Sequence, residues 1–368
     1  AVGRNPAWGV SFGPRFSYTG CGMSIKLPAD RLGQLRAFYA GRTVCVTGGA
    51  GFIGGHLVDV LHAVGASVRV IDDLSNSTLE HLAALIEMDP ERVRFVHGSI
   101  LDDDALREAM AGCKTVFHLA AVGSVPRSIE DPQRTWVVNA TGTMRVFEAC
   151  RKAGVERAVV ASSSSVYGDQ PDLPKVETQP PRPMSPYAAS KLAGEHLASV
   201  WSQCYGLSTV SLRFFNVFGP RQAWEGGYAA VVAAFCRSLL NADRPVIYGD
   251  GTQTRDFTFV GNIVLGILLA GSASAELKGQ AVNLGTGRRV SVVDLATAIA
   301  KQVGLPTVQP HYKPGRTGDV MHSLADIARA RQLFGYEPIT RLEDGLQSTV
   351  EWFRSQLLGA GGDTSEIR

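Results

Sequence analysis

The chain has 368 residues, 45% of them hydrophobic and 19% charged, with 36 basic and 34 acidic side chains for a formal net charge of +2. That balance leaves no broad positive field for nucleic acid or an anionic membrane surface. No apolar run reaches the ~18 residues that a membrane-spanning helix needs. The six cysteines form no CxxC pair, so a metal site or disulfide framework is not expected and a reducing cytoplasm fits.

Residues 1–40 read as a leader, and the first 22, rich in glycine and aromatics, lack the apolar core of a signal peptide. From Arg42 short apolar runs alternate with amphipathic stretches. RTVCVTG, SVRVIDD, RVRFVHG, KTVFHLAA and RAVVASS read as strands. GFIGGHLVDVLHAVG, HLAALIEM, DDALREAMAG and TWVVNATGTMRVFEACRKAG read as the helices between them. Strands that are apolar throughout, alternating with helices, predict an α/β fold, a Rossmann-type doubly wound parallel sheet over 41–215. After Ser185 come the helix SPYAASKLAGEHLASVWSQCYG and the strand STVSLRFFNVFG. Beyond Gly219 the alternation fades into Gly- and aromatic-rich loops between helices such as VVDLATAIAKQVG and LEDGLQSTVEWFRSQ. A smaller C-terminal substrate domain is therefore expected mainly over 216–355, with segments returning to the sheet, and a tail over 356–368.

Gly48, Gly51 and Gly54 stand in TGGAGFIG, directly between the first strand and the first helix, with Phe52 and Ile53 opening that helix. Glycines there permit a tight turn and a close approach to a pyrophosphate, which meets the free N–H groups of the helix end. A lone triplet also occurs in ordinary strand–helix turns, so the context decides. Asp72 ends the second strand 18 residues after Gly54. Its carboxylate suits the ribose hydroxyls and repels a 2′-phosphate, which favours NAD over NADP.

Tyr187 and Lys191 lie four apart in SPYAASK, on one face of a helix. A phenol titrating near pH 10 becomes a usable base when an ammonium and a positive nicotinamide lower it. Ser163, 24 residues upstream in ASSSSVYG, would supply a third polar contact for a substrate hydroxyl.

The GxxGxxG spacing resembles the extended short-chain dehydrogenase/reductase superfamily. FHLAA, with Leu119, Ala120 and Ala121, Asn139 in the next helix, and YxxxK at Tyr187 and Lys191 fall where that superfamily has cofactor contacts. One place departs from it. The superfamily's GD[IV] motif is here GSI, so Ser99 and Ile100 stand where an aspartate commonly meets adenine. Nucleotide-sugar 4,6-dehydratases resemble this chain but carry an Asp-Glu pair where it has Ser164 and Ser165. Two hydroxyls cannot do that acid/base work, which leaves oxidation and re-reduction at one carbon.

Within the superfamily, GSVPRSIEDP, SSSSVYGDQPDLPKVE, SPYAASK, RFFNVFGPRQ, GDGTQTRDF and GDVMHSLADIARA resemble UDP-N-acetylglucosamine 4-epimerases, over roughly Arg42 to Phe353. The resemblance implies a UDP-sugar held by Asn216, Arg255 and Arg316 at the diphosphate and by Asp319 at the nucleoside ribose. Guanidinium suits the bidentate binding of phosphate. Tyr248 is a weaker match beside the base, and Gly123, Ser124 and Val125 line the sugar pocket together with Ser163, Ser164, Ser165 and Tyr187.

Four residues after Asp319 the resemblance places a gate beside the sugar's C2 group. Enzymes confined to plain UDP-glucose and UDP-galactose carry a tyrosine there; Ser323 leaves room for an N-acetyl group. Exchange of UDP-GlcNAc and UDP-GalNAc through a 4-keto sugar, with Tyr187 taking the O4 proton, is the expected activity. Arg127 offers a uronate carboxylate a partner and reads equally well as a surface charge, so a UDP-glucuronic acid epimerase or decarboxylase stays open. A dinucleotide-sensing protein is the non-enzymatic alternative. The resemblance also implies a homodimer, since members of the family commonly pair through two long helices each, here TWVVNATGTMRVFEACRKAG and SPYAASKLAGEHLASVWSQ.

Overall fold

The computed structural model describes residues 25–224, 229–315 and 320–360. The sequence pattern TVCVT shows why the first strand is central. Val44 and Val46 pack with one buried cluster and Cys45 with another, so both faces of β1 (Thr43–Thr47) are covered. β2 (Ser67–Asp72), β3 (Val93–His97), β4 (Thr115–His118), β5 (Arg157–Ser163) and β6 (Ser208–Phe214) follow. The short strands β7 (Val217–Phe218), β8 (Val246–Tyr248), β9 (Thr254–Arg255) and β10 (Thr258–Phe259) precede β11 (Lys278–Leu284). The main sheet runs β11-β6-β5-β4-β1-β2-β3, parallel throughout. Its order reverses between β1 and β4, and in open sheets of this kind ligands bind outside the carboxyl ends of the strands at such a reversal.

Helices cover the two faces. α1 (Ala29–Tyr39), α2 (Phe52–Ala63) and α3 (Glu80–Met88) come first, then α4 (Asp103–Met110), α5 (Val125–Glu130), α6 (Pro132–Trp136) and α7 (Gly142–Ala153). α8 (Pro186–Tyr205), α9 (Val231–Leu240), α10 (Val260–Ser272), α11 (Val292–Val303), α12 (Ala328–Phe334) and α13 (Leu342–Ala360) complete the described set. α1, α2 and α10 contribute to one core and α4, α7 and α8 to the other.

Three expectations change. The stretch placed in a leader holds α1, whose Tyr39 is fully buried and donates to the Leu268 carbonyl at 2.7 Å. The single strand read in STVSLRFFNVFG breaks after Phe214, and β7 leaves the sheet to pair with β10. The long helix over TWVVNATGTMRVFEACRKAG starts earlier, at Pro132, and is interrupted by a π-helical turn at Val137–Thr141. α10 and β11 are the segments that return to the Rossmann layer. α10 is buried from Val260 to Gly271, so its sequence carries no amphipathic period.

Candidate active site

The glycine loop sits at the reversal point. Gly48 has a φ of +71°, and a Cβ there would stand 2.7 Å from the Ala120 nitrogen. A Cβ at Gly54 would stand 2.1 Å from the Gly48 carbonyl oxygen. Only glycine lets the loop, the α2 N-terminus and the segment after β4 come this close, and the cradle they make fits a pyrophosphate. The Asp72 carboxylate accepts from Ala50 N, Leu74 N and Ser77 Oγ, each at 3.0 Å. A carboxylate offers about four acceptor positions, so capacity remains for a ribose hydroxyl.

Behind this cradle runs a buried polar chain. Thr47 Oγ1 meets His118 Nδ1 at 2.7 Å, His118 Nε2 meets Thr143 Oγ1 at 2.9 Å, and Thr143 Oγ1 donates to the Asn139 carbonyl at 2.6 Å. Burial, with the Lys191 charge adding to it, pushes the His118 imidazole down to about 3, so the ring is neutral. Thr47 Oγ1 also accepts from Ala120 N, which fixes the FHLAA segment carrying Leu119, Ala120 and Ala121.

Asn139 stands within the π turn. Its amide accepts from Val122 N at 2.8 Å and donates to Val122 O and Ser190 Oγ. It therefore reaches the crevice through the Val122 backbone. Ser99 Oγ accepts from Leu101 N at the start of the α4 turn, and buried Ile100 packs against Gly142.

Ser163 ends β5, and the turn Ser164–Tyr167 follows it. Its hydroxyl accepts from Ser165 N at 3.1 Å and Ser165 Oγ at 2.9 Å, and hydrogen-bonds the Tyr187 phenol. α8 starts where Ser185 Oγ accepts from Ala188 N and Pro186 opens the first turn, which brings Tyr187 and Lys191 to one face. Lys191 Nζ donates to the Ala161 carbonyl at 2.9 Å and lies 6.0 Å from the Tyr187 ring centre. Burial lowers Lys191 to about 8. Burial also raises Tyr187, and the Ser163 hydrogen bond only partly offsets this. Without a cofactor the phenol is therefore protonated at neutral pH, and the positive charge of a bound nicotinamide would act with that of Lys191 to lower it.

One supporting group escaped sequence reasoning. Glu195 on α8 forms a buried bidentate pair with Arg213 of β6, at 2.9 and 2.7 Å, and accepts from Ser162 Oγ. It pins α8, which carries Tyr187 and Lys191, to the sheet beside Ser163. Acidic–basic pairs far apart in sequence give no local signal.

Several segments expected to meet the substrate are tied together by hydrogen bonds. Asn216 is exposed just beyond β6, and its carbonyl accepts from Thr258 N. Arg255 on β9 donates to the Met321 carbonyl at 3.1 Å. Ser323 is buried, and its N–H donates to Thr254 O at 3.0 Å. Tyr248 sits half-buried on β8. Ser124 caps α5 after Gly123 and before Val125, and Arg127 donates to Asn76 Oδ1 at 2.6 Å. Arg316 and Asp319 lie outside the described residues. No helix among the described residues is long and apolar enough to cross a membrane.

A Rossmann sheet, a glycine cradle and a Ser–Tyr–Lys set together define an NAD-binding short-chain dehydrogenase/reductase site. The family profile "NAD dependent epimerase/dehydratase family" matches residues 44–285. The UDP-glucose 4-epimerase of Mycolicibacterium smegmatis is 43% identical over 84% of this chain and 98% of its own length. The UDP-N-acetylglucosamine 4-epimerase of Methanobrevibacter ruminantium, solved with UDP-N-acetylmuramic acid, superposes with a TM-score of 0.81 at 36% identity, over 86% of this chain and 99% of that one. The Thermus thermophilus UDP-glucose 4-epimerase, solved with NAD, gives 0.75 at 37%, over 85% and 99%. The chain belongs to the NAD-dependent epimerase/dehydratase family. It is an enzyme with NAD as cofactor, and within that family an isomerase.

Proposed function

We propose that the chain is a UDP-sugar 4-epimerase whose substrates are UDP-GlcNAc and UDP-GalNAc, with UDP-glucose and UDP-galactose also admitted. The observation that carries the acetylated preference is Ser323, a small buried side chain at the gate position, backed by the Ser163–Tyr187–Lys191 set. Tyr187 takes the O4 proton and later returns it, and Ser163 steadies the hydroxyl between them. Lys191, held on the Ala161 carbonyl, keeps its positive charge near the phenol and stands where the family binds the nicotinamide ribose. Bound NAD supplies a hydride acceptor and donor at the sugar's C4. The sugar ring turns over between the two transfers, so the nucleotide must be gripped and the hexose held loosely.

The diphosphate clamp is assigned to Asn216, Arg255 and Arg316, and the nucleoside ribose to Asp319. Arg127 has Asn76 as its partner, which weighs against a uronate carboxylate there. A homodimer through α5 to α8 is supported by exposed Ile129, Trp136, Val137, Met144 and Val200 on those helices.

The test is incubation of the pure protein, without added NAD, with UDP-GlcNAc, UDP-glucose and UDP-glucuronic acid, followed by proton NMR of the sugar ring. UDP-GalNAc should appear. Turnover of the uronate alone would overturn the acetyl-sugar assignment.

A further inference from the structure

Lys175, in the run GDQPDLPKVE, is only 1% exposed, and no step of the proposed reaction uses it. Its ammonium donates to the Gln170 carbonyl, and Asp172 and Asp169 are the carboxylates acting on it. Burying an ammonium is costly unless its surroundings are built to receive it. Here those surroundings are the loop that leaves Ser163 and Tyr167 and then runs beside residues 321–326.

The contacts between the two segments are regular. Asp169 Oδ1 accepts from Met321 N at 3.0 Å, Lys175 N donates to Leu324 O at 2.7 Å, and Asp326 N donates to Lys175 O at 3.0 Å. β9 holds the same segment from its other side. Thr254 N and Arg255 Nη1 both donate to Met321 O, and Ser323 N donates to Thr254 O. Buried Asp256 accepts from Ala325 N at 3.2 Å. Ser323 thus stands in a strip whose backbone is bonded on two sides, one of them the loop built around Lys175.

We propose that Lys175 is a positioning residue: its buried ammonium organises the 169–177 loop, which holds the 321–326 strip and so sets where Ser323 and Arg255 meet the sugar nucleotide. This inference rests on the UDP-sugar reading of the site. It assigns Lys175 no contact with substrate, so it should act on binding and sugar choice and not on the hydride or proton steps.

The test compares Lys175→Met, Lys175→Arg and Asp169→Ala with the parent, each as the full chain with its resident NAD. Lys175→Met should raise KM for UDP-GlcNAc about tenfold, with kcat within about twofold and NAD content unchanged. The kcat/KM ratio of UDP-GlcNAc to UDP-glucose should shift about fivefold. Lys175→Arg should recover part of both effects, and Asp169→Ala should raise KM about threefold. A KM and a sugar ratio within about twofold of the parent in Lys175→Met would overturn the proposal. So would a loss confined to kcat. If Lys175→Met does not fold, Asp169→Ala decides, and an unchanged KM there overturns it. A parent that converts neither UDP-GlcNAc nor UDP-glucose would instead sink the functional reading.

Discussion

The cofactor half and the substrate half of the crevice are built on different plans. The cofactor half is centred on one continuous strand–turn–helix, in which Gly48 and Gly54 touch backbone where any side chain would collide. The substrate half we propose is assembled from Asn216, the two-residue strand β9 and the strip around Ser323, segments distant in sequence and tied to one another or to β10 by backbone hydrogen bonds. The first plan makes one rigid cradle for the dinucleotide. The second makes a frame whose fittings can be exchanged without disturbing the sheet, which is how one fold can serve several sugars.

The contrast can be broken at either end. Tyr187→Phe should lower kcat about 10³-fold while the purified protein still carries NAD, read by turnover and by absorbance of the released nucleotide. Activity that survived would remove Tyr187 from the proton step. Ser323→Tyr should cut kcat/KM for UDP-GlcNAc about 10²-fold and leave UDP-glucose within about threefold. Equal losses on both sugars would mean that Ser323 is not a gate. Gly54→Ala should cost about 2–3 kcal/mol of stability and empty the cofactor site, seen as a lower Tm and loss of bound NAD. Full NAD content in that variant would contradict the cradle.

The smallest effect concerns pH. Burial holds His118 neutral down to about 3, whereas in the unfolded chain it takes a proton below about 6.5. The unfolded state then binds more protons, so stability should fall as pH drops from 6.5 toward 3. His118→Asn should flatten the difference in Tm between pH 7 and pH 5. An unchanged slope would place the acid sensitivity elsewhere.

What the sequence made legible follows the same division. The glycine cradle, Asp72 and the Tyr187–Lys191 face are local patterns, fixed by a turn's steric needs and a helix's period, and they are present at those positions. α10 was missed because a helix buried on every side has no period to detect, and α1 because it was set aside with the leader. The π turn at Val137–Thr141, which carries Asn139, lies inside an otherwise regular helical pattern. The Glu195–Arg213 pair and the Lys175 loop depend on tertiary contacts that no window of sequence contains. Ser323 was reached only through resemblance, since a lone serine announces nothing by itself.

The measurement that tests the account most directly uses UDP-GlcNAc carrying deuterium at C4, converted in ordinary water by the protein with its resident NAD. If C4 is oxidised and re-reduced within one closed site, UDP-GalNAc should form with the deuterium still on C4. Product that has exchanged its C4 deuterium for solvent hydrogen would contradict the hydride transfer and return on which the account rests.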